Sequence, residues 1–249
     1  MLKRSLDVMA ALVGLALGSL VLVPVMIAVW LQDWHSPFYI ADRVARGGAT
    51  FRMVKLRSMK ILADQTGLMS TAGDDPRITA VGRLVRRWKL DELTQLWNVL
   101  KGDMSLVGPR PQVPSEVARY TSEEREMLSA RPGITDMASI VFADEGDILH
   151  GSKDPDLEYN QLIRPWKSRL ALVYVRQRPG IATDLRIIWL TVLSIVDRRA
   201  ALGGVARLVR SRAGGEELAR VALRQEPLRK VPPPGATTIV KQVPRLTAR

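Results

Sequence analysis

Two adjacent acids and a proline-flanked arginine are the residues best suited to chemistry in this chain. Asp91 and Glu92 begin a predicted short helix, and Arg110 lies between Pro109 and Pro111. Each proline fixes its own φ and restricts the residue before it, so Arg110 has little backbone freedom. A carboxylate can attack a phosphate, and a planar guanidinium can bind phosphate oxygens. These residue types indicate phosphate chemistry.

The residues alone leave a second interpretation open. An Asp-Glu pair in the first turn of a helix usually just complements the helix dipole, and an arginine in a proline-rich turn is often a plain surface residue. In the functional interpretation, a carboxylate beside the positive end of a helix stays ionised, meets a phosphate attracted to the same place and attacks it.

The stretch that contains these residues is KLDELTQLWNVLKGDMSLVGPRP, from Lys89 to Pro111. Its apolar residues recur at helical spacing, and Lys101 followed by Gly102 predicts the end of a helix. The whole stretch resembles the signature of the bacterial sugar transferase family, the monotopic phosphoglycosyl transferases that start glycan assembly on a polyprenol phosphate.

The resemblance implies a mechanism for these residues. Asp91 is expected to attack the sugar-bearing phosphate of a UDP-sugar, release UMP and carry the phosphosugar until undecaprenyl phosphate takes it. Asp91 and Glu92 are expected to hold Mg²⁺, which neutralises the diphosphate. The residues expected to bind substrate phosphate are Arg110, Lys55, Arg57 and Arg131. A one-step transfer, with Asp91 as a base or metal ligand, is the alternative enzyme mechanism.

Residues 36–59 resemble the family's hairpin block. The pattern predicts strands at Phe38–Ile40 and Thr50–Leu56 joined by a Gly47-Gly48 turn. Lys55 and Arg57 are two residues apart and so are predicted to share a strand face. They form either a cationic wall for a diphosphate or a solvated face.

The segment from Val8 to Leu31 has no charged residue and is long enough for a membrane helix. The family has a re-entrant helix with a Ser-Pro pair at its break, whereas here Ser19 precedes leucine and the proline is Pro24. A re-entrant helix broken near Ser19 and Pro24 is predicted, with a true span as the alternative. Lys3 and the basic C-terminal tail favour the cytoplasmic side for both ends.

Several further elements follow from apolar spacing. Residues 78–88 are predicted to form an amphipathic helix, residues 113–128 another helix, and the segment from Asp184 an apolar helix. The polar stretch from Lys60 to Arg77 is interpreted as a loop. The acidic group Asp144, Glu145 and Asp147 either holds a metal or sugar hydroxyl, or forms a solvated loop.

Composition excludes several function classes. The chain has no cysteine and only two histidines, so disulfides, thiolate metal sites and multi-histidine metal centres are excluded. The net charge is +12, and twelve basic against three acidic residues lie after Asp197. That basic tail can favour an anionic membrane surface, bind nucleic acid or simply be solvated. No nucleic-acid partner is expected.

The predicted fold is α+β and mostly helical. It comprises a membrane-embedded N-terminal helix (1–32), a small cytoplasmic catalytic domain with a β-hairpin and amphipathic interfacial helices (33–197), and a basic, partly disordered tail (198–249). The expected partners are a UDP-sugar, undecaprenyl phosphate, the bilayer of the bacterial inner membrane and downstream glycosyltransferases. The alternative function is a membrane-tethered, non-catalytic scaffold that acts through the tail.

Overall fold

The N-terminal apolar segment forms one continuous helix, α1, from Leu2 to Leu31. The computed structural model describes residues 2–63, 75–177 and 180–243, so the loop predicted between Lys60 and Arg77 lies largely outside the described residues. The buried residues of α1 are Asp7, Ala11, Leu22 and Val29, which fall on one helical stripe. The remaining two-thirds of the helix circumference is exposed.

The predicted division of this segment into two helices is wrong, because α1 continues through Pro24. Proline removes one backbone hydrogen bond, which normally kinks a helix. Here the domain holds α1 on both sides of the proline. Leu22 and Val29 belong to one cluster with Leu56 and Val85, and Ser19 Oγ donates 2.7 Å to the carbonyl of Ala16 within the helix.

The chain after α1 alternates short strands with many short helices, which confirms the mostly helical α+β prediction. The elements are β1 (Phe38–Val44), β2 (Thr50–Leu56), α2 (Ala80–Arg87), α3 (Leu90–Leu93), α4 (Leu96–Lys101), β3 (Ser105–Val107), α5 (Pro114–Val117), β4 (Gly133–Thr135), α6 (Met137–Val141), α7 (Glu145–Ile148), α8 (Pro155–Glu158), α9 (Arg164–Arg176), α10 (Ile181–Val196), α11 (Arg198–Ser211) and α12 (Gly215–Leu223).

Two small sheets support the site. β1 and β2 form the predicted antiparallel hairpin, with Phe38 opposite Leu56 and Val44 opposite Thr50. β3 and β4 form a parallel pair that the sequence pattern did not predict, because each strand has only three residues.

The helix predicted over residues 113–128 is interrupted. α5 ends at Val117, and a 3₁₀ turn occupies Glu124–Ser129. Between them, Thr121 and Glu124 bond reciprocally: the Thr121 hydroxyl accepts from the Glu124 amide, and the Glu124 carboxylate accepts from the Thr121 amide. This capping arrangement starts a new helical turn.

The main hydrophobic core lies among α6 and α9 to α12. Ile140, Leu170 and Ile187 pack there with Val205 and Ala219, which come from the predicted tail. The separate tail at 198–249 is therefore wrong for residues 198–223, because their apolar faces complete this core. The one helix predicted in the tail is present as α12.

Residues beyond α12 run in an extended path across α9. Trp166 Nε1 donates 3.1 Å to the carbonyl of Arg229, and an Arg169 guanidinium nitrogen donates 3.0 Å to the carbonyl of Pro232. These bonds fix the described part of the C-terminal segment to the domain surface.

Candidate active site

Asp91 lies in the first turn of α3, just after a sharp turn of the chain. Lys89, with φ 51° and ψ 30° in the left-handed region, separates α2 from α3. The Asp91 side chain is 17% exposed, and its Oδ2 lies 3.7 Å from Lys55 Nζ. Within the described residues, its carboxylate accepts no hydrogen bond. Asp91 is therefore a largely buried carboxylate with spare acceptor capacity.

Glu92 and Arg110 form the second ion pair of the site. Arg110 NH1 donates 2.9 Å to Glu92 Oε1. The arginine side chain remains 34% exposed, so its other nitrogens are free to face a ligand. The structure thus brings together Asp91, Glu92, Lys55 and Arg110, as the sequence predicted.

Backbone-directed hydrogen bonds hold β2 against the helices that contain the acids. Asn98 Oδ1 accepts from the Val54 amide at 2.9 Å, and Asn98 Nδ2 donates 2.8 Å to the carbonyl of Arg52. Thr94 Oγ1 donates 3.2 Å to the carbonyl of Val54. These bonds lock α3 and α4 to the strand immediately before Lys55, so they fix the lysine relative to Asp91.

A close contact between two glycines positions the turn that contains Arg110. A Cβ on Gly108 would lie 2.2 Å from the carbonyl oxygen of Arg131, and one on Gly133 would lie 2.1 Å from the Gly108 amide. Gly108 donates 3.1 Å to the carbonyl of Thr135, and Gly133 donates 3.0 Å to that of Pro109. Only glycine permits this approach. Pro109 and Pro111 then restrict the turn itself.

Burial and charge push the two carboxylates in opposite directions. Burial raises the pKa of Asp91, and this effect outweighs the opposing charge of Lys55. Burial would also raise the pKa of Glu92, but Arg110 and Lys55 together hold it below its ordinary value. Adjacent carboxylates with separated pKa values usually have different roles. Glu92 is the fixed anion, and Asp91 is the more basic group.

The predicted contribution of the helix dipole is smaller than the sequence suggested. α3 has only four residues, and a single turn aligns few peptide dipoles. The cations around Asp91 therefore determine its charge state. Burial and the charge of Arg110 lower the pKa of Lys55 itself, which shows how tightly this group of charges is packed.

We expect Lys55→Met to move the acidic limb of the pH–rate profile to higher pH. Lys55 lowers the pKa of Asp91, so its loss lets that pKa rise further and increases the protonated fraction at any given pH. kcat/KM should fall by about tenfold near neutrality, the equivalent of one pKa unit.

The measurement is kcat/KM against pH for wild type and variant. Lys101→Met is the matched control, because Lys101 is half-exposed and pairs with Asp103. An acidic limb that stays in place in Lys55→Met would show that Lys55 does not act on Asp91.

The structure does not bring Arg57 into this site. Arg57 follows the end of β2, and its guanidinium donates at 2.5 and 2.7 Å to the two oxygens of Asp33, and at 2.8 Å to the carbonyl of Ser36. The predicted phosphate-binding role of Arg57 is therefore corrected: it ties β2 to the chain that leaves α1. Side-chain alternation ends with the strand, so the shared face with Lys55 does not extend to Arg57.

We expect Arg57→Ala to destabilise the protein by about 1–3 kcal/mol, the range for losing charge-assisted hydrogen bonds, while changing kcat little. The Arg57 guanidinium lowers the pKa of Asp33 from 3.8 to about 2. This pair therefore adds stability above the ordinary pKa, and that stability is lost as the pH falls towards 2.

Thermal unfolding between neutral pH and the acidic range tests this expectation, since the variant should lose less stability on acidification than wild type. Arg52→Ala, on the exposed face of β2, serves as the control. A large drop in kcat without a drop in stability would return Arg57 to the active site.

Arg131 is placed beside the site by its backbone. Its carbonyl lies against Gly108, while its guanidinium makes no hydrogen bond or ion pair with the described residues. Its predicted phosphate-binding role stays a prediction.

Two further cations surround the carboxylates, and the sequence analysis did not assign them. The charge of Arg86 lowers the pKa of Asp91, and Arg43 lies close enough to Lys55 to lower the pKa of the lysine. Arg86 was interpreted as part of a polar helix face. Only the left-handed turn at Lys89 folds that face over Asp91.

The first turn of α1 holds the stretch that carries the site. Arg4 donates 2.5 and 2.8 Å to the carbonyls of Val99 and Leu100, at the end of α4. Asp7 Oδ1 accepts from the Leu106 amide at 3.1 Å. The sequence analysis interpreted the basic residues before α1's apolar run as topological signals, yet Arg4 caps a helix of the catalytic domain.

Lys3 completes this contact. Its ammonium group donates 2.6 Å to Asp184 Oδ2, 3.0 Å to the carbonyl of Val107 and 3.1 Å to the Tyr174 hydroxyl. Tyr174 also donates to Asp184, at 2.7 Å. α1, β3, α9 and α10 therefore meet in one polar network three residues before Arg110.

The acidic group after α6 is engaged in ion pairs. Asp144 pairs with Arg198 at 2.8 Å and Arg224 at 3.2 Å, and Glu145 pairs with Lys167. Neither predicted alternative, a metal or sugar ligand or a solvated loop, describes Asp144, because it links α7 to α11 and α12. Asp147 is exposed.

A divalent cation would have to rely on few protein ligands. No group of three or more Asp, Glu, His or Cys residues suited to a metal occurs in residues 2–63, 75–177 and 180–243. Mg²⁺ commonly uses one or two carboxylates and completes its shell with water and substrate phosphates. The unfilled acceptors of Asp91, next to Glu92, fit that pattern.

A buried carboxylate beside lysine and arginine, with a second carboxylate fixed by arginine, defines a site for phosphoryl transfer. The chain belongs to the bacterial sugar transferase family, whose profile matches residues 1–198. That match ends at the last residue before most of α11, so it omits part of the folded core.

Curated relatives agree with this family. A galactosyl transferase, CpsE, from Streptococcus agalactiae is 34% identical over 76% of this chain and 41% of its own. A UDP-glucose:undecaprenyl-phosphate glucose-1-phosphate transferase from Caulobacter vibrioides is 34% identical over 73% of this chain and 70% of its own. A UDP-N-acetylgalactosamine-undecaprenyl-phosphate N-acetylgalactosaminephosphotransferase from Aeromonas hydrophila is 32% identical over 66% and 40%. The chain thus spans less than half the length of two of these relatives.

Proposed function

We propose that this protein transfers a sugar 1-phosphate from a UDP-sugar to undecaprenyl phosphate and releases UMP. The observation that carries the proposal is the Asp91 carboxylate, which is buried, raised in pKa and lacking a hydrogen-bond donor among the described residues, yet lies beside Lys55 and the Glu92–Arg110 pair. Relatives whose names specify this reaction support the choice of substrates.

In the first step, an Asp91 oxygen forms a bond to the sugar-bearing phosphorus as its bond to the UMP oxygen breaks. In the second step, an oxygen of undecaprenyl phosphate attacks the same phosphorus and displaces the Asp91 carboxylate. Arg110 binds phosphate oxygens while charge redistributes, and Lys55 favours the ionised form of Asp91. Asp91 and Glu92 are the residues that would hold Mg²⁺, which neutralises diphosphate charge when bound.

We also propose that the exposed apolar face of the protein contacts the bilayer of the bacterial inner membrane from the cytoplasmic side. Leu17 and Leu20 of α1 are 66% and 77% exposed. Five of the six tryptophans are exposed as well, and tryptophan favours the membrane–water interface; they are Trp30, Trp34, Trp88, Trp97 and Trp189. α1 is the one helix of the described chain that is long and apolar enough to cross a membrane.

The way α1 contacts the domain favours re-entry or surface embedding over a separate span. Lys3 and Arg4 contact the domain at one end, and Val29 packs against it near the other. A helix that crossed the bilayer alone would carry its middle away from these contacts. The membrane-embedded position also gives Asp91 access to a lipid-soluble acceptor.

The sugar and the glycan pathway are the open part of this proposal. The relatives' names specify galactosyl, glucose and N-acetylgalactosamine donors, and residues 136–145 depart from the family pattern at the expected sugar pocket. The product would be the first lipid-linked intermediate of an exopolysaccharide, capsule, O-antigen or glycoprotein glycan, taken up by downstream glycosyltransferases.

The test is UMP release by the full-length protein in detergent with Mg²⁺, undecaprenyl phosphate and a panel of UDP-sugars. We expect one sugar to give lipid-dependent turnover and a lipid product that contains the sugar phosphate. Absence of turnover with every common UDP-sugar, from protein that unfolds cooperatively, would contradict the proposal.

A further inference from the structure

An apolar groove of about 320 Å³ lies between the first half of α1 and α10. This volume is within the range of small-molecule sites. Its walls include Met9, Ala10 and Val13 from α1 and Leu185 from α10. Three of these residues, Met9, Val13 and Leu185, are 57–58% exposed at its mouth. The groove therefore opens on the same apolar face that carries the exposed residues of α1.

The closed end of the groove disfavours a phosphate. Lys3, Asp7 and Asp184 lie there, which gives a formal net charge of −1. The ammonium hydrogens of Lys3 are already directed at Asp184, Val107 and Tyr174. One oxygen of Asp7 is buried and has no partner among the described residues, so an anionic headgroup would be repelled. An uncharged hydrocarbon fits this groove better than a headgroup does.

The floor of the groove leads to the active site. Leu106 and Val107 line it, and Arg110 is three residues further along the chain, at most about 11 Å away for an extended backbone. A lipid whose phosphate lies at Arg110 therefore has the groove within reach of the first part of its chain.

We propose that this groove holds the proximal part of the polyprenyl chain of the acceptor lipid. The inference rests on the proposed function and adds a binding site for the acceptor's hydrocarbon portion. The chain enters from the exposed apolar face, packs between α1 and α10 and presents its phosphate to Arg110. Because the groove walls are apolar, it recognises the chain by burial alone.

Filling the groove tests the proposal. Ala10 is exposed on α1 and lines the groove, so Ala10→Phe narrows it without removing a buried side chain. We expect KM for undecaprenyl phosphate to rise about tenfold, or roughly 1.4 kcal/mol. Ala16→Phe makes the same change at an exposed position of α1 outside the groove and should match wild type. Leu185→Ala weakens the opposite wall and should raise the same KM by about threefold.

Photocrosslinking provides a readout that does not depend on turnover. A polyprenyl phosphate with a diazirine near its phosphate end should label peptides of α1 and α10 in the wild-type protein, and Ala10→Phe should reduce that labelling. Equal KM values for Ala10→Phe and Ala16→Phe, or labelling confined to other elements, would overturn the proposal. Labelling displaced equally well by a phospholipid without a prenyl chain would show an acyl-chain site instead and would also overturn it.

These outcomes separate the two proposals. If wild type transfers a sugar phosphate but the groove variants behave like Ala16→Phe, the transferase function stands and the groove has no part in acceptor binding. If wild type has no activity with any donor yet is labelled in the groove, the groove inference survives and the reaction assignment fails.

Discussion

Asp91→Asn is expected to reduce UMP release by at least about a thousandfold, the scale seen when an enzyme loses its nucleophile. The substitution preserves side-chain size and accepts the same neighbours, so the fold should be unaffected. An amide cannot form the acyl phosphate that the proposed first step requires. The measurement is UMP release with the donor and acceptor that support turnover in wild type.

Radiolabelled donor sharpens this experiment. Wild type incubated without acceptor should retain labelled phosphosugar on the protein, and Asp91→Asn should not. Asp147→Asn is the matched control, because Asp147 is exposed and its carboxylate has no partner among the described residues. Strong activity loss with no label on the wild-type protein would favour the one-step mechanism, in which Asp91 acts as a base or metal ligand.

Truncation after Asp197 is expected to abolish cooperative folding, even though the family match ends at residue 198. The deletion removes nine buried residues of the main core, namely Ala201, Leu202, Val205, Ala206, Leu208, Val209, Leu218, Ala219 and Ala222. Each large buried side chain contributes about 2–5 kcal/mol when truncated. Their combined loss exceeds a typical stability of about 5–15 kcal/mol. Thermal unfolding followed by circular dichroism measures the effect.

Truncation after Arg224 is the matched control, since it keeps α11, α12 and the Arg224–Asp144 ion pair. This shorter deletion removes the hydrogen bonds from Trp166 and Arg169 to the C-terminal segment, and we expect a folded protein of lower stability. A folded and active protein ending at Asp197 would show that α11 and α12 are dispensable. The scaffold hypothesis, which assigns function to a solvated tail, loses its basis where that tail forms the core.

The sequence predicted the site better than it predicted the architecture. Asp91, Glu92 and Arg110 were found because they lie in one contiguous stretch with its own local signals, and the αL glycine at Gly102 ends α4 as expected. The hairpin was predictable for the same reason, since alternation and a two-glycine turn are local patterns. Lys55 followed from the hairpin.

Long-range contacts were beyond reach. The Arg57–Asp33 pair and the Asn98 bonds to β2 join residues far apart in sequence, and no periodicity predicts such partners. The core role of α11 was missed because its arginines dominate the composition, although its apolar residues occupy one face. The continuity of α1 through Pro24 likewise depends on packing against the domain.

The contacts of Lys3, Arg4 and Asp7 impose an order on biosynthesis. These residues leave the ribosome first, but their partners at Val99 to Val107 follow about a hundred residues later, or roughly 5–20 s at usual elongation rates. Asp184 follows later still. During that interval the apolar helix has no domain to pack against, so it must be shielded by lipid or a chaperone while its first turn stays accessible. Final docking of α1 is therefore a late step in maturation, although α1 is the first element made.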